Sequence, residues 1–292
     1  MSGIGLLRLQ RADTPEASVP ILAFFVTHYV LSIFSQTFFL HRYSAHRMFR
    51  MSVGWERFFH FLTWLSQGSS YLQPRAYAIL HRMHHAYSDT PKDPHSPRFF
   101  GTAFGMMWHT KDVYLDVLGR KVEPEARFEG GYPHWALLDE TLNNMYVAVA
   151  FGTAYVLFYM HYATSPWQYL LLPVHFLMGP MHGAIVNWGG HKYGYRNFWN
   201  KDDSRNTLPF DIVTWGELFQ NNHHTFGMAP NFAVRSFEVD PTYQVMKALQ
   251  AFGIIDMRGA QVMRWRPEDR LAPAASPLAL HEANPADAVA AE

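Results

Sequence analysis

The chain has 292 residues and no formal net charge, because 24 Lys and Arg side chains balance 24 Asp and Glu side chains. This balance excludes a strong field that would recruit nucleic acid, so no nucleic-acid partner is expected, and the absence of cysteine excludes disulfides, thiolate-bound iron–sulfur clusters and thiol catalysis. Charged residues make up 16% of the chain and aromatic residues another 16%, a combination that favours a membrane protein.

Long segments without Asp, Glu, Lys or Arg predict membrane-spanning helices. The first such segment follows a charged N-terminal stretch and is long enough to cross the hydrocarbon core. A second charge-free block, residues 141–191, is long enough for two crossings, and Ser165-Pro166 supplies a break for a helical hairpin. The predicted spans lie near residues 19–40, 142–163 and 168–190.

The remaining segments determine the predicted topology. The stretch 58–74 is shorter and interrupted by polar residues, so we expect it to lie in the membrane interface or to re-enter. Lys and Arg are concentrated in 41–57, 75–127 and the region after Lys192, which the positive-inside rule assigns to the cytoplasm. The polar regions 75–140 and 192–266 would then form a cytoplasmic cap. The expected fold is an all-α integral membrane protein, with a small transmembrane stem and a cytosolic helical cap.

The expected domain organisation is simple. One domain covers residues 1–266, and the Ala- and Pro-rich residues 267–292 are predicted to be a disordered tail.

Histidines are concentrated next to the predicted spans and indicate a metal centre. Neighbouring positions on a helix point about 100° apart, so the adjacent histidine pairs 84/85 and 223/224 are each suited to serving two metals rather than one. His41 and His46 diverge further in angle, with the same implication. Imidazole suits Fe, Cu, Ni and Zn, so ligand type alone does not choose the metal. The eight candidate ligands are His41, His46, His81, His84, His85, His191, His223 and His224.

The other histidines have a structural interpretation by default. A single histidine on an apolar face is more often a hydrogen-bonded interior residue than a ligand. We assign to structure His28, His60, His109, His134, His161, His175 and His182.

The order of the motifs resembles a known family. HRYSAH at 41–46, HRMHH at 81–85, NWGGHKYGYR at 187–196 and QNNHH at 220–224 are similar to motifs of the membrane fatty-acid desaturase superfamily. They resemble in particular its acyl-CoA Δ9 (stearoyl-CoA desaturase-like) branch, in bacterial form. The similarity covers roughly residues 20–258.

This resemblance implies a di-iron enzyme that uses O2 to desaturate a fatty-acyl chain at C9–C10. It implies that the eight histidines hold two Fe2+ ions, with Zn as a possible replacement in expressed protein. Asn187 matches a residue that holds a metal-bound water, and Tyr77 matches a position lining the path of the acyl chain. In the family, the motif that corresponds to QNNHH usually opens with histidine. Here it opens with Gln220, which is either a weak ligand or a neighbour of the ligands.

Other side chains and partners follow from the chemistry. Carboxylates are expected to orient the ligating rings, and Asp89, Asp93 and Glu217 are the candidates. O2 reduction needs two electrons beyond those of the substrate, so a separate carrier such as a ferredoxin, flavodoxin or cytochrome b5-like protein is expected. The substrate is expected to be a fatty-acyl chain, with CoA as the preferred carrier, in contact with membrane lipid. The expected location is a bacterial inner membrane, with the site on the cytoplasmic side.

Three alternatives remain open at the level of sequence. A related di-iron hydroxylase of alkyl or lipid chains would use similar motifs, and product analysis separates it from a desaturase. A zinc-binding membrane protein without activity needs only four ligands, fewer than the eight found here. A haem protein with paired histidine ligands is disfavoured by the i, i+3, i+4 spacing of the second motif.

Overall fold

A computed structural model describes residues 19–271 of the chain. Most of this part is helical. Its α-helices are α1 (Val19–Ser35), α2 (Val53–Gln67), α3 (Pro74–Tyr87), α4 (Ala103–Leu118), α5 (Met145–Tyr162), α6 (Leu172–Phe176), α7 (Met178–Ala184), α8 (Gly190–Lys192), α9 (Gln220–Thr225) and α10 (Pro241–Ala251). Three π-helical segments occupy Gln36–Ala45, Leu137–Thr141 and Ile185–Gly189, and short 3-10 turns occupy Gly68–Ser70, Pro97–Phe99, Ala126–Phe128, Pro166–Leu171 and Pro267–Arg270.

Strands are nearly absent from the described residues. The two-residue strands β1 (Arg50–Met51) and β2 (Ile255–Asp256) pair antiparallel. The prediction of an all-helical membrane protein is confirmed, with this small ribbon as the addition. Most of the predicted tail lies outside the described residues.

Within residues 19–271, two helices are long and apolar enough to cross a membrane. One runs continuously from Val19 to Ala45, since the first π segment extends α1 without a break, and the other is α5. α2 is not among them; its 15 residues span about 23 Å, less than a hydrocarbon core of about 30 Å. The interfacial placement of 58–74 stays a prediction.

The third predicted span is bent. Pro166–Phe176 and Met178–Lys192 meet at 78°, so the segment 168–190 is not one straight helix. Pro180 has no N–H to bond the carbonyl of Phe176 four residues earlier, and the Ser69 hydroxyl donates to that carbonyl at 3.2 Å instead. The bend is therefore stabilised by a contact with the turn after α2.

A buried aromatic core joins the stem to the cap. The first π segment packs on residues that precede α9 and on α10. This contact brings the first histidine motif, HRYSAH, close to the last, QNNHH, in the interior of the cap. The fully buried side chains include Phe38, Phe39, Phe219, Phe232 and Met246.

Candidate metal centre

The eight candidate ligands come from four helical segments that meet in the structure. The first π segment carries His41 and is followed directly by His46 at its C-cap, α3 carries three ligands, α8 carries one and α9 carries two. In the structure they form two groups, within each of which the ligand nitrogens lie within 4.8 Å of one another.

The larger group has five histidines. The Nε2 atoms of His41 and His223 are 2.9 Å apart, and those of His85 and His223 are also 2.9 Å apart. The Nε2 atoms of His46 and His81 are 2.7 Å apart. Five ring nitrogens therefore surround one point.

The smaller group has three histidines, His84, His191 and His224. The Nε2 atoms of His84 and His224 are 3.2 Å apart, and the ring of His191 lies 5.0 and 4.9 Å from the other two ring centroids. Rings of His84 and His85 belong to different groups, as do those of His223 and His224. This is the arrangement that their angular separation on a helix predicts.

His41 and His46 differ from the prediction, because both belong to the five-histidine group. In a π-helix the N–H of residue i+5 bonds the carbonyl of residue i, so residues five apart lie one turn apart and on one face. The His46 N–H donates to the His41 carbonyl at 3.2 Å. The sequence analysis assumed α-helical angles, in which these two side chains diverge.

Carboxylates hold four of the rings at Nδ1. His41 Nδ1 lies 2.5 Å from Glu217 Oε2, His84 Nδ1 lies 2.9 Å from Asp93, and His191 Nδ1 lies 3.0 Å from Asp89 Oδ2. The fourth contact joins His224 Nδ1 to Asp202 Oδ2 at 2.8 Å. The three acids named from the sequence are therefore in contact with ligand rings.

Asp202 was missed by the sequence analysis. It lies in the loop after α8, 22 residues from its partner His224, and belongs to none of the histidine motifs. Only the folding of this loop against α9 brings the carboxylate to the ring.

Burial lowers the pKa of four of the rings outside the membrane segments and therefore favours their neutral form. Desolvation by burial, reinforced by neighbouring histidines, places the pKa of His81, His85 and His223 well below the ordinary value. Burial lowers the pKa of His224 to about 4, although Asp202 acts in the opposite direction. For His84 burial is outweighed by Asp93, and its pKa is raised. Neutral imidazole is the form that binds a metal.

The acids are ionised despite their burial. Desolvation raises the pKa of Asp89, but its contacts with His191 and Ser96 outweigh that effect and bring the pKa to about 2. The same balance lowers the pKa of Asp93 through His84 and of Asp202 through His224.

The proton positions test whether a metal fits. In the neutral form that binds a metal, an imidazole has one N–H, and an ionised carboxylate at Nδ1 can only accept it, so we assign Nδ1–H to His84, His191 and His224 in that form. Their Nε2 atoms then all carry lone pairs, and the 3.2 Å contact between His84 and His224 is not a hydrogen bond. Nε2 of His191 is buried without a partner among the described residues. Lone pairs that converge in this way need a cation between them, so the donor set fits nitrogen-binding metal ions.

Three further predicted residues lie around the two groups. Gln220 is buried, and its Nε2 donates to the carbonyl of Glu217 at 2.6 Å. Asn187 is half-buried in the third π segment and makes no side-chain hydrogen bond with the described residues. The ring of Tyr77 stacks on His81, with centroids 5.9 Å apart and planes within 8°.

Two neighbours of the centre were not assigned from the sequence. His95 is buried with its ring centroid 4.3 Å from that of His84, and its Nε2 has no partner among the described residues. Arg42 is fully buried and contacts both Glu217 and Asp240. Arg42 stands within the motif HRYSAH and His95 follows HRMHH by ten residues, but nothing in the sequence indicated their contacts.

Comparison with known proteins agrees with this arrangement. The family model described as "Fatty acid desaturase" matches residues 18–248. Hex-5-enoyl-[acyl-carrier protein] acetylenase from Moorena producens (strain JHB) is 28% identical over 276 residues, covering 82% of this chain and 77% of that protein. Acyl-CoA C20 Delta5-desaturase from Anemone leveillei is 27% identical, covering 79% and 70%. The sn-1 stearoyl-lipid 9-desaturase from Anabaena variabilis is 26% identical, covering 73% and 74%.

Proposed function

The chain belongs to the fatty acid desaturase family and is an acyl desaturase, and from that premise we propose that it desaturates a saturated fatty-acyl chain with O2 at two iron ions. We propose C9–C10 as the bond and a CoA thioester or another acyl thioester or lipid as the substrate. The relatives are named for acyl-carrier protein, CoA and lipid substrates and for different positions along the chain. The observation that carries the proposal is the convergence of eight imidazoles in groups of five and three.

Removal of hydrogen from an unactivated chain cannot be done by ordinary side chains alone. Two bound iron ions would supply the activation of O2 that this chemistry needs. His41, His46, His81, His85 and His223 would hold one ion, and His84, His191 and His224 would hold the other. Neutral nitrogen ligands on rigid helices keep the ions at fixed positions.

The acids around the ligands do the positioning. Asp93, Asp89 and Asp202 each accept the Nδ1–H of one ring, which fixes the tautomer and directs Nε2 toward the centre, and Glu217 lies against Nδ1 of His41. Asp93 also accepts the backbone N–H of Asp89 and of His95, so the loop that holds it is itself held. The acids therefore fix the orientation of the rings that would hold the metal ions.

The neighbours of the ligands have separate roles. The ring of Tyr77 is nearly parallel to that of His81 and packs against the buried aromatic core, where it would line the path of the acyl chain. Asn187 would hold a water near the three-histidine group, and Gln220 would lie beside that group as a weak ligand or a neighbour.

The enzyme needs a partner for electrons. The chain has no cysteine and so no thiolate-bound cluster of its own. A separate carrier, such as a ferredoxin, flavodoxin or cytochrome b5-like protein, would deliver electrons on the cytoplasmic side of a bacterial inner membrane.

The test is the fatty-acid profile of a host that expresses the intact chain, measured by gas chromatography–mass spectrometry with derivatisation of double bonds. A new monounsaturated acid, absent with His84→Ala and present with the control His161→Ala, is the expected result. His161 lies at the exposed end of α5, far in sequence from every ligand. A hydroxylated product in place of a monounsaturated one would contradict the proposal.

A further inference from the structure

A second histidine cluster lies in the membrane stem, away from the metal centre. His28 on α1, His175 on α6 and His182 on α7 are all at least nine-tenths buried, and Tyr159 on α5 joins them. The sequence analysis assigned these histidines to structure by default. Ionisable side chains within membrane segments are costly to bury and usually mark a functional site.

The cluster crosses the interior of the stem. Every long apolar segment contributes a side chain to it: the N-terminal helix, α5 and the bent pair of helices. His182 precedes the ligand His191 by nine residues, a distance of about 13 Å along a helix, and His28 precedes His41 by thirteen residues, about 20 Å. An alkyl chain running from the metal centre along the inside of the stem would meet this cluster.

Hydrogen bonds link part of the cluster into a chain. The Tyr159 hydroxyl lies 2.9 Å from His175 Nε2, and His175 Nδ1 lies 2.6 Å from His28 Nδ1. Each neutral ring has one N–H. Whether Tyr159 donates or accepts therefore determines which nitrogen carries the proton in His175 and in His28. His28 Nε2 is a donor when Tyr159 donates and an acceptor when Tyr159 accepts.

Several polar atoms of the cluster have no partner among the described residues. They are His28 Nε2, Ser32 Oγ and both ring nitrogens of His182. The backbone carbonyl of Ser66 lies near the His28 ring without completing a hydrogen bond to Nε2. His182 is 1% exposed, and the Tyr29 ring meets its edge at 5.0 Å. A buried imidazole with both nitrogens free needs a partner that both donates and accepts, as a water molecule or the hydroxyl group of a ligand does.

The free atoms determine the chemistry of that ligand. His182 offers one donor and one acceptor in either tautomer, and His28 Nε2 can be either. A hydroxyl group both donates and accepts, whereas a carbonyl only accepts and an ammonium group only donates. A carboxylate would bring an unpaired charge into the membrane interior, since no acidic side chain within hydrogen-bond or ion-pair distance of these three rings occurs among residues 19–271.

The geometry points to a binding site for the hydroxyl group of an aliphatic chain in this stem pocket, formed by His28, Ser32, His175, His182 and Tyr159. Two sources share this chemistry: a free fatty alcohol, and an acyl substrate that carries a hydroxyl near its far end. We infer the second. The inference deepens the proposed function and rests on it for the direction in which the acyl chain enters.

Thermal unfolding of the full-length protein in lipid nanodiscs tests the pocket without turnover. Added 1-dodecanol should raise Tm in a saturable way, and dodecane should need at least tenfold higher concentration for the same shift, because a buried site that hydrogen-bonds a hydroxyl rejects the analogue without it. The preference for 1-dodecanol over dodecane should disappear in His182→Leu. It should weaken in Ser32→Ala, a smaller change that preserves packing. His161→Leu, on the exposed end of α5, should keep it. Equal responses to both probes, or a preference that survives in His182→Leu, would overturn the site.

The source of the hydroxyl is tested in the expression host. Cells supplied with fatty acids of equal length, with or without a terminal hydroxyl, should convert the hydroxylated acid at least tenfold better, and His182→Leu should remove this preference. An alcohol-dependent Tm shift without any preference for the hydroxylated acid overturns the assignment to substrate. If neither acid is converted, the proposed function fails, and the Tm comparison still decides the pocket.

Discussion

The metal centre and the stem pocket are both clusters of buried histidines, yet they are built for different ligands. In the metal centre four rings have an ionised carboxylate at Nδ1, which directs lone pairs at Nε2 toward common points. In the stem pocket the rings contact each other and a tyrosine, and among the described residues no carboxylate contacts them. The comparison teaches that a carboxylate at the second ring nitrogen, more than the presence of histidine, distinguishes a cluster whose lone pairs are directed for metal binding.

The largest expected difference between the two clusters is in metal content. His84→Ala removes one of three nitrogens from the smaller group, so we expect loss of one iron per chain and activity at the background level. His28→Ala removes a stem histidine and should leave both irons in place. Iron per chain, measured by plasma mass spectrometry on protein purified in parallel, checks both. Loss of iron from His28→Ala would break the comparison.

A second difference concerns the buried charges that support the centre. Arg42 NH2 lies 2.8 Å from Asp240 and NH1 lies 3.3 Å from Glu217, and the arginine is completely buried. Arg42→Met leaves two buried carboxylates without their cation, a change that costs about 3–5 kcal/mol of unfolding free energy. Unfolding in detergent measures it.

The matched control for Arg42 is Arg258, which pairs with Asp256 at 2.7 Å on the surface. Arg258→Met should leave Tm unchanged, because exposed ion pairs are screened by water. Equal losses in the two variants would contradict a special role for the buried arginine.

The role of the carboxylate in directing the ring can be tested at two adjacent residues. Asp202 contacts His224, whereas the side chain of its neighbour Asp203 is half-exposed and pairs with Arg98. Asp202→Asn should weaken iron binding about 10–100-fold, the usual effect of losing such a partner. Asp203→Asn should change it little. Competition with a graded chelator gives both values, and an unaltered affinity in Asp202→Asn would refute the assigned tautomer.

The smallest expected effect is in the stem. Tyr159→Phe removes the hydroxyl that contacts His175 and should lower the unfolding free energy by about 1 kcal/mol, the net value of one buried hydrogen bond. Iron content should stay the same. A loss of iron in this variant would show that the two clusters are coupled.

Much of the centre could be predicted because its ligands are grouped in short motifs. Residues three or four apart on a helix project to one side and adjacent residues diverge, so HRMHH and QNNHH already indicate how two rings separate. Asp89, Asp93 and Glu217 were visible as acids close to those motifs. Charge-free segments indicated the stem in the same way, because length and apolar character are properties of a continuous stretch.

The sequence by itself therefore determined the helical membrane class, and it predicts the ligand set that the family motifs imply and an external electron carrier. Only the tertiary structure decided how those ligands divide. The π-helical winding of 36–45 placed His41 and His46 together, and Pro180 bent the last span at a contact with Ser69. Asp202 and the stem pocket depend on residues far apart in the chain. Local spacing specifies the face of one helix, whereas contacts between segments follow from packing of the whole interior, and no single segment contains that information.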